Sequence, residues 1–161
     1  MGEALYKASY FLDRRDLGEA LGYLRQYPSE LQLFSIWCAR RVQHAMLDER
    51  SSKALGTAEQ FVRGRASRAE LNIAVKAAFE AYCEAWDTRL PSWNIAAAEA
   101  AMHAASPESC HLAAWTATES AFAEGYYLDR AYDESVEAQI RELDRVVCCI
   151  AWGMEPYPEM N

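Results

Sequence analysis

Residues 92–105 read SWNIAAAEAAMHAA, and half of them are alanine. Alanine has the highest helix propensity of the amino acids, and its small side chain lets a neighbouring helix approach closely. The segment lies between Pro91 and the Ser106-Pro107 step, both of which are typical of helix boundaries. We therefore predict a helix over residues 92–105 that packs tightly against its neighbours.

The whole chain of 161 residues shares this bias toward helix. It contains 29 alanines, whereas Val, Ile and Thr together number 15, and this composition excludes a β-sandwich or barrel. At 52% hydrophobic and 25% charged the chain is too apolar to be disordered, and it has no run of about 18 apolar residues to span a membrane. We predict one compact all-α domain over residues 1–161, with about seven short antiparallel helices. Whether they form a bundle or a short solenoid stays open.

A glycine and a capping pattern separate two of the predicted helices. Gly64 is the residue type that favours the left-handed position just past a helix C-terminus, so a helix over residues 51–63 should end there. Ser67 and Glu70 have the spacing of a capping box, which predicts a helix from there to about Trp86.

Two further helix starts are predicted from residue types. Ser29 is the predicted N-cap of a helix that runs to about Leu47. Ser106, as a cap with Pro107 in the first turn, predicts a helix that runs to about Glu124.

The balance of charge excludes one class of partner and favours another. Twenty-four acidic residues against 16 Lys and Arg give a net charge of -8, which repels nucleic acid, so we expect no nucleic-acid binding. A basic protein partner would be attracted by the same charge.

The cysteines and the first residues bear on compartment and cofactors. The five cysteines are Cys38, Cys83, Cys110, Cys148 and Cys149. Their odd number and the lack of a C-x-x-C pattern predict neither a disulfide framework nor a zinc site, and we expect no cofactor and no metal. No basic leader followed by an apolar run precedes Asp13, so we expect a cytoplasmic protein without membrane contact.

A stripe of polar and aromatic residues lies on the helix predicted from Ser29. Trp37, Arg41, His44 and Asp48 follow at spacings that place them on one helical face, with Arg50 just beyond. They form either a polar functional site or a hydrogen-bond network that ties this helix to the next.

Two acidic ladders are the candidate partner-binding surfaces. The first ladder is Glu80, Glu84 and Asp87, the second is Asp129, Asp133 and Glu137, and Tyr126 and Tyr127 beside the second are candidate anchors. Like charges four residues apart on a helix repel, so a basic partner would relieve each ladder. The alternative is a solvated face that keeps the protein soluble.

Two Glu/His units are the candidates for a metal-dependent enzyme. Glu99 with His103, and Glu108 with His111, each place a carboxylate and an imidazole on one helix face. A di-iron bundle uses the three-residue spacing twice and adds a Glu from each of two other helices, whereas only the second unit here has that spacing. The sequence therefore favours ordinary helix-end residues over a metal site.

The segment 37–71 resembles a known family. The matching positions are Trp37-Cys38-Ala39, Val42, His44, Asp48-Glu49-Arg50-Ser51, Ala54-Leu55, Ala58-Glu59, Phe61-Val62, Gly64, Ala66-Ser67 and Glu70-Leu71, with the later alanine-rich passage around His103. This pattern is similar to an all-helical family of immunity proteins from bacterial polymorphic-toxin loci. It also resembles helical domains of unknown function in large bacterial paralogue sets.

The resemblance implies a small cytoplasmic protein that binds and inactivates a cognate toxin and has no catalysis of its own. Because many such toxins are basic nucleases, the acidic charge agrees with this expectation. The alternatives are the metal-dependent enzyme and a helical interaction module that associates with itself through the alanine-rich helix.

Overall fold

Eight α-helices and three short 3-10 turns account for most of the computed structural model, which describes residues 2–124 and 129–157, without the side chains at 122, 124 and 129–132. The helices are α1 (Glu3–Asp13), α2 (Leu17–Tyr23), α3 (Pro28–Arg41), α4 (Glu49–Val62), α5 (Arg68–Asp87), α6 (Ser92–Ala105), α7 (Ala113–Glu124) and α8 (Asp129–Ala151). These ranges contain no β-strand. The all-α prediction is confirmed, with eight helices where about seven were predicted.

The alanine-rich helix α6 has the predicted bounds and lies at the centre of the fold. It packs against α3, α4, α5 and α7. Six of its alanines are buried, namely Ala97, Ala98, Ala100, Ala101, Ala104 and Ala105. Because α6 is covered by other helices of the same chain, it does not offer the surface for self-association that the sequence suggested.

Long-range contacts close the helices into a bundle. α8 packs against α7 and also against α1 and α3, so the first and last helices meet. In a solenoid each unit contacts only its neighbours along the chain, and α1 and α8 would lie at opposite ends. The arrangement that the sequence left open is therefore a compact bundle.

The predicted signals around Gly64 are confirmed. Gly64 has φ +72°, and α4 ends in a Schellman motif in which the Gly64 and Arg65 amides donate to carbonyls of the last turn. The Ser67 side chain accepts from the Glu70 amide while the Glu70 carboxylate accepts from the Ser67 amide, which completes the capping box of α5.

The predicted helix from Ser29 to Leu47 is wrong at both ends. Pro28 occupies the first turn of α3, and no side chain caps the helix. α3 ends at Arg41, and a 3-10 turn over Gln43–Ala45 follows. The side chain of Asp48 then accepts a hydrogen bond from the Arg50 amide and caps α4. This local bond competes with continuation of the preceding helix.

The predicted start of a helix at Ser106 is also wrong. Ser106 and Pro107 lie in a turn, a 3-10 turn follows over Cys110–Leu112, and α7 begins only at Ala113. The Ser106 hydroxyl bonds the Glu108 carboxylate rather than a backbone amide, so it does not act as an N-cap.

Two further findings concern the chemistry of the chain. Within residues 2–124 and 129–157, none of the helices combines the length and hydropathy that crossing a bilayer requires. The five cysteines are free thiols, and burial raises the pKa of Cys38 well above its ordinary value.

Candidate functional site

The outer face of α5 combines exposed apolar and acidic side chains. Ile73, Phe79 and Trp86 are 71%, 52% and 57% exposed, and Glu80 and Asp87 beside them are also exposed. Phe79 and Trp86 are seven residues apart, as are Glu80 and Asp87, so each pair lies on one side of the helix. We call these five residues the α5 surface.

Small buried residues on the inner side of α5 explain this orientation. Leu71, Ala78, Ala81 and Ala85 recur at spacings of three, four and seven and are buried against the bundle. Three of these four are alanines, so the helix lies close to its neighbours, while Phe79 and Trp86 point outward. The sequence predicts the acidic residues of this surface, whereas Phe79 and Trp86 were not predicted. The spacing of the alanines was the available signal.

Glu84 of the first ladder forms an ion pair within the protein, although its side chain is 62% exposed. Arg50 Nη1 donates to Glu84 Oε1 at 3.0 Å, and Arg50 Nε donates to Asp48 Oδ1 at the same distance. The hydrogen bonds to Arg50 hold the pKa of both carboxyl groups below their usual range. This cluster ties the start of α4 to α5, so only Glu80 and Asp87 of the ladder belong to the α5 surface.

Glu80 also has a basic neighbour, because Lys76 Nζ lies 3.8 Å from its carboxylate, one turn away. Both side chains of this pair are exposed to solvent, so the attraction is weak. Lys76 and Arg50 therefore reduce the repulsion between the acidic residues of the ladder. From the sequence, a basic partner was expected to relieve that repulsion.

The predicted polar stripe is split into two parts, because α3 ends at Arg41. The Arg41 guanidinium lies 5.1 Å from the centre of the Trp37 ring, and Arg41 and His44 line a small cleft of about 170 Å³ with residues of α8. Asp48 and Arg50 lie instead in the cluster with Glu84. The prediction that all of these residues share one helical face is therefore wrong.

The second ladder is described only in part. Tyr126 and Tyr127 lie outside the described residues, as does the side chain of Asp129. Asp133 is exposed on α8, whereas the Glu137 carboxylate forms ion pairs with Arg15 and Arg141. Reversing the charge at Glu137 would therefore disturb contacts within the protein as well as any contact with a partner.

The first Glu/His unit is a pair of partly buried groups. Glu99 Oε1 and His103 Nε2 are 3.6 Å apart, which is too long for a hydrogen bond, and His103 Nδ1 lies 3.0 Å from Ser109 Oγ. Burial and then Glu119 raise the pKa of Glu99, and burial lowers the pKa of His103. Both shifts favour the neutral forms.

The second unit does not join the first in a metal site. The Glu108 carboxylate binds Arg68 at 3.1 Å and Ser106 at 3.0 Å, and His111 lines a cleft elsewhere. Across the described part of the chain, no three His, Cys, Asp or Glu side chains converge to hold a metal ion. The donors that a metal-dependent enzyme would need are therefore not brought together among these residues.

Comparison of the chain with protein-family models, with curated proteins and with solved structures gives no match.

Proposed function

We propose that this protein is an immunity-type inhibitor that binds and neutralises a cognate basic toxin, and that the α5 surface contacts the toxin. The observation that carries the proposal is the exposure of Phe79 and Trp86 on one side of a helix, with Glu80 and Asp87 next to them. The protein would act in the cytoplasm of the cell that makes the toxin, without catalysis of its own.

The physical support comes from the two kinds of side chain. Buried aromatic residues at the centre of an interface contribute much of the binding energy, and a surrounding polar rim excludes water from them. Phe79 and Trp86 have the size and exposure for such anchors. Glu80 and Asp87, together with a net charge of -8, would attract a basic partner and increase its rate of association.

The first test is a protection assay. Each gene adjacent to the one for this protein is expressed alone, and any lethal product is coexpressed with the wild-type protein. We expect a lethal basic product whose toxicity the wild type suppresses and whose purified form binds it stoichiometrically. If no neighbouring product is both lethal and suppressed, the inhibitor proposal is wrong.

The second test locates the contact surface with charge-matched variants. Glu80→Lys with Asp87→Lys changes α5, and Asp133→Lys with Asp144→Lys changes exposed positions of α8. Each reversal adds two charges, so both variants change the net charge from -8 to -4. We expect only the α5 variant to lose protection. Equal losses would indicate general electrostatic steering, and a selective loss in the α8 variant would assign the contact to the second ladder.

The aromatic anchors are tested separately. We expect Phe79→Ala and Trp86→Ala each to weaken toxin binding about tenfold or more, while thermal stability changes little because both side chains are exposed. Leu47→Ala, at another exposed apolar residue, is the control and should bind as the wild type does.

Light scattering tests whether the α5 surface mediates self-association instead. A wild-type dimer that the Phe79 and Trp86 variants convert to a monomer would show that the α5 surface serves self-association instead.

A further inference from the structure

A cleft of about 390 Å³ lies between α2, α7 and α8. Its volume falls within the range of clefts that hold small molecules. The apolar part of its wall is formed by Leu17, Leu21, Leu112, Trp115 and Val136. Because its lining includes no residue of α5, the cleft is separate from the proposed toxin contact.

Two glycines of α2 keep the cleft open. Gly18 and Gly22 both line it, and their spacing of four places them on the same side of the helix. A Cβ atom added at Gly22 would meet nothing within 4 Å. A larger side chain at this position would therefore occupy the open space rather than collide with the bundle.

Positive charge borders the apolar wall. Arg15 and Arg25 both line the cleft; Arg15 is already paired with Glu137, whereas Arg25 is exposed at the rim. Burial and then Arg25 lower the pKa of His111, which also lines the cleft, and this shift favours the neutral imidazole. Arg25 is therefore the group suited to bind an anion.

Gln139 lines the same cleft and holds a buried hydrogen-bond acceptor without a partner in the described part of the chain. Gln139 is 1% exposed, and its side-chain N–H group donates to the Ala114 carbonyl and to Thr118 Oγ1, both at 2.9 Å. Since the Ala114 carbonyl can only accept, the orientation of the amide is determined. Gln139 Oε1 then accepts no hydrogen bond from the described residues, and a buried acceptor in this state is destabilising.

We propose that this cleft binds a small apolar carboxylate that carries a hydrogen-bond donor on its apolar part. The carboxylate pairs with Arg25, and the apolar part packs against Leu21 and Trp115. The donor binds Gln139 Oε1 after this enclosed side chain turns toward the cleft. Gln139 also borders the smaller cleft beside α3.

The test uses 3-(indol-3-yl)propionate as the probe, because it has a carboxylate, an apolar ring and one ring N–H. Two matched compounds remove one feature each: the corresponding propanol lacks the carboxylate, and the 1-methyl derivative lacks the N–H. Binding is measured by calorimetry and by the indole N–H signal of Trp115 in NMR spectra, assigned with Trp115→Phe. We expect the probe to bind at least tenfold more tightly than either matched compound.

Variants then place the probe in the cleft. Gly22→Leu fills the space and should abolish binding, whereas Gly56→Leu, in α4 and equally unobstructed, should bind as the wild type does. Arg25→Gln should reduce the affinity for the probe to that for the alcohol. Arg25 is exposed, so this variant keeps the test decisive if Gly22→Leu fails to fold.

Two results would overturn the proposal: no binding of the probe to the wild type at millimolar concentration, or binding that survives both Gly22→Leu and Arg25→Gln. The outcome is independent of the toxin proposal. We expect the variant with Glu80→Lys and Asp87→Lys to bind the probe normally, and the Gly22→Leu variant to retain protection against the toxin.

Discussion

At the scale of single residues, Arg50 contacts Asp48 and Glu84 instead of extending the polar stripe that the sequence predicted on one helix. It binds Asp48, which caps α4, and Glu84 on α5, so one guanidinium joins the two helices. We expect Arg50→Gln to lower the free energy of unfolding, because it leaves two carboxylates facing each other without their cation. Lys53→Gln removes an exposed pair with Glu49 one turn away and should have a several-fold smaller effect in urea denaturation. Equal effects would show that the cluster contributes nothing beyond a surface pair.

His103 belongs to the same scale and predicts a dependence of stability on pH. Burial lowers its pKa in the folded protein, so the unfolded chain takes up a proton more readily. The contribution of the neutral imidazole to the free energy of unfolding is therefore fully present above a pH of about 6.5, the pKa of histidine in the unfolded chain. It is lost as the pH falls below that value. The raised pKa of Glu99 has the opposite effect on stability: its contribution is lost as the pH rises, and this happens nearer the pH range in which carboxyl groups ordinarily titrate.

The measurement is urea denaturation of the wild type and of His103→Gln between pH 8 and pH 5.5. We expect the wild type to lose stability across this interval and the variant to lose less. Since the lowered pKa of His111 acts in the same direction, the double variant with His111→Gln should show the flattest profile. A slope unchanged by both substitutions would contradict this account.

At the scale of helices, four C-termini end in the same Schellman pattern, in which two amides donate back to the last turn. The left-handed residue is glycine in two cases, Gly64 and Gly153, and arginine in the other two, Arg15 and Arg89. The residue type predicts the helix end at Gly64, whereas nothing in the sequence indicates a left-handed conformation at the two arginines. The reason is that the pattern of backbone hydrogen bonds can impose a positive φ on a residue that does not favour it.

This comparison predicts opposite effects for two substitutions. Gly64→Ala should destabilise the protein by about 1 kcal/mol, because the space around Gly64 is open and only the backbone conformation is unfavourable. Arg89→Gly should be neutral or stabilising by up to about 1 kcal/mol, since glycine adopts the observed φ of +53° without strain. Thermal unfolding measures both, and a stabilising Gly64→Ala would refute the interpretation.

At the scale of the whole molecule, α6 packs against four other helices, and its alanines leave no room for larger side chains. We expect Ala101→Leu, at a fully buried position, to cost about 1–3 kcal/mol through overpacking. Ala69→Leu, at an exposed position of α5, is the control and should change stability by less than about 0.5 kcal/mol. Chemical denaturation distinguishes the two, and a tolerated leucine at Ala101 would show that the centre of the bundle is not close-packed.

The sequence by itself determined the all-α class, the bounds of α6, the capping box at Ser67 and the helix end at Gly64. These features depend on helix propensity and on hydrogen bonds between residues a few positions apart, so the local sequence contains the information. The end of α3 at Arg41 was not predicted, because the local sequence around Asp48 is compatible both with a residue that caps a new helix and with a residue inside a continued helix.

Only the tertiary structure decided which helix faces are covered. The alanines of α5 lie inward while Phe79 and Trp86 lie outward, Arg50 reaches Glu84 from a helix 34 residues earlier in the chain, and Gln139 meets the cleft beside Gly22. Each of these arrangements depends on contacts between distant segments. Because helical periodicity shows that a residue lies on one face and not what covers that face, the sequence could not reveal the α5 surface or the cleft.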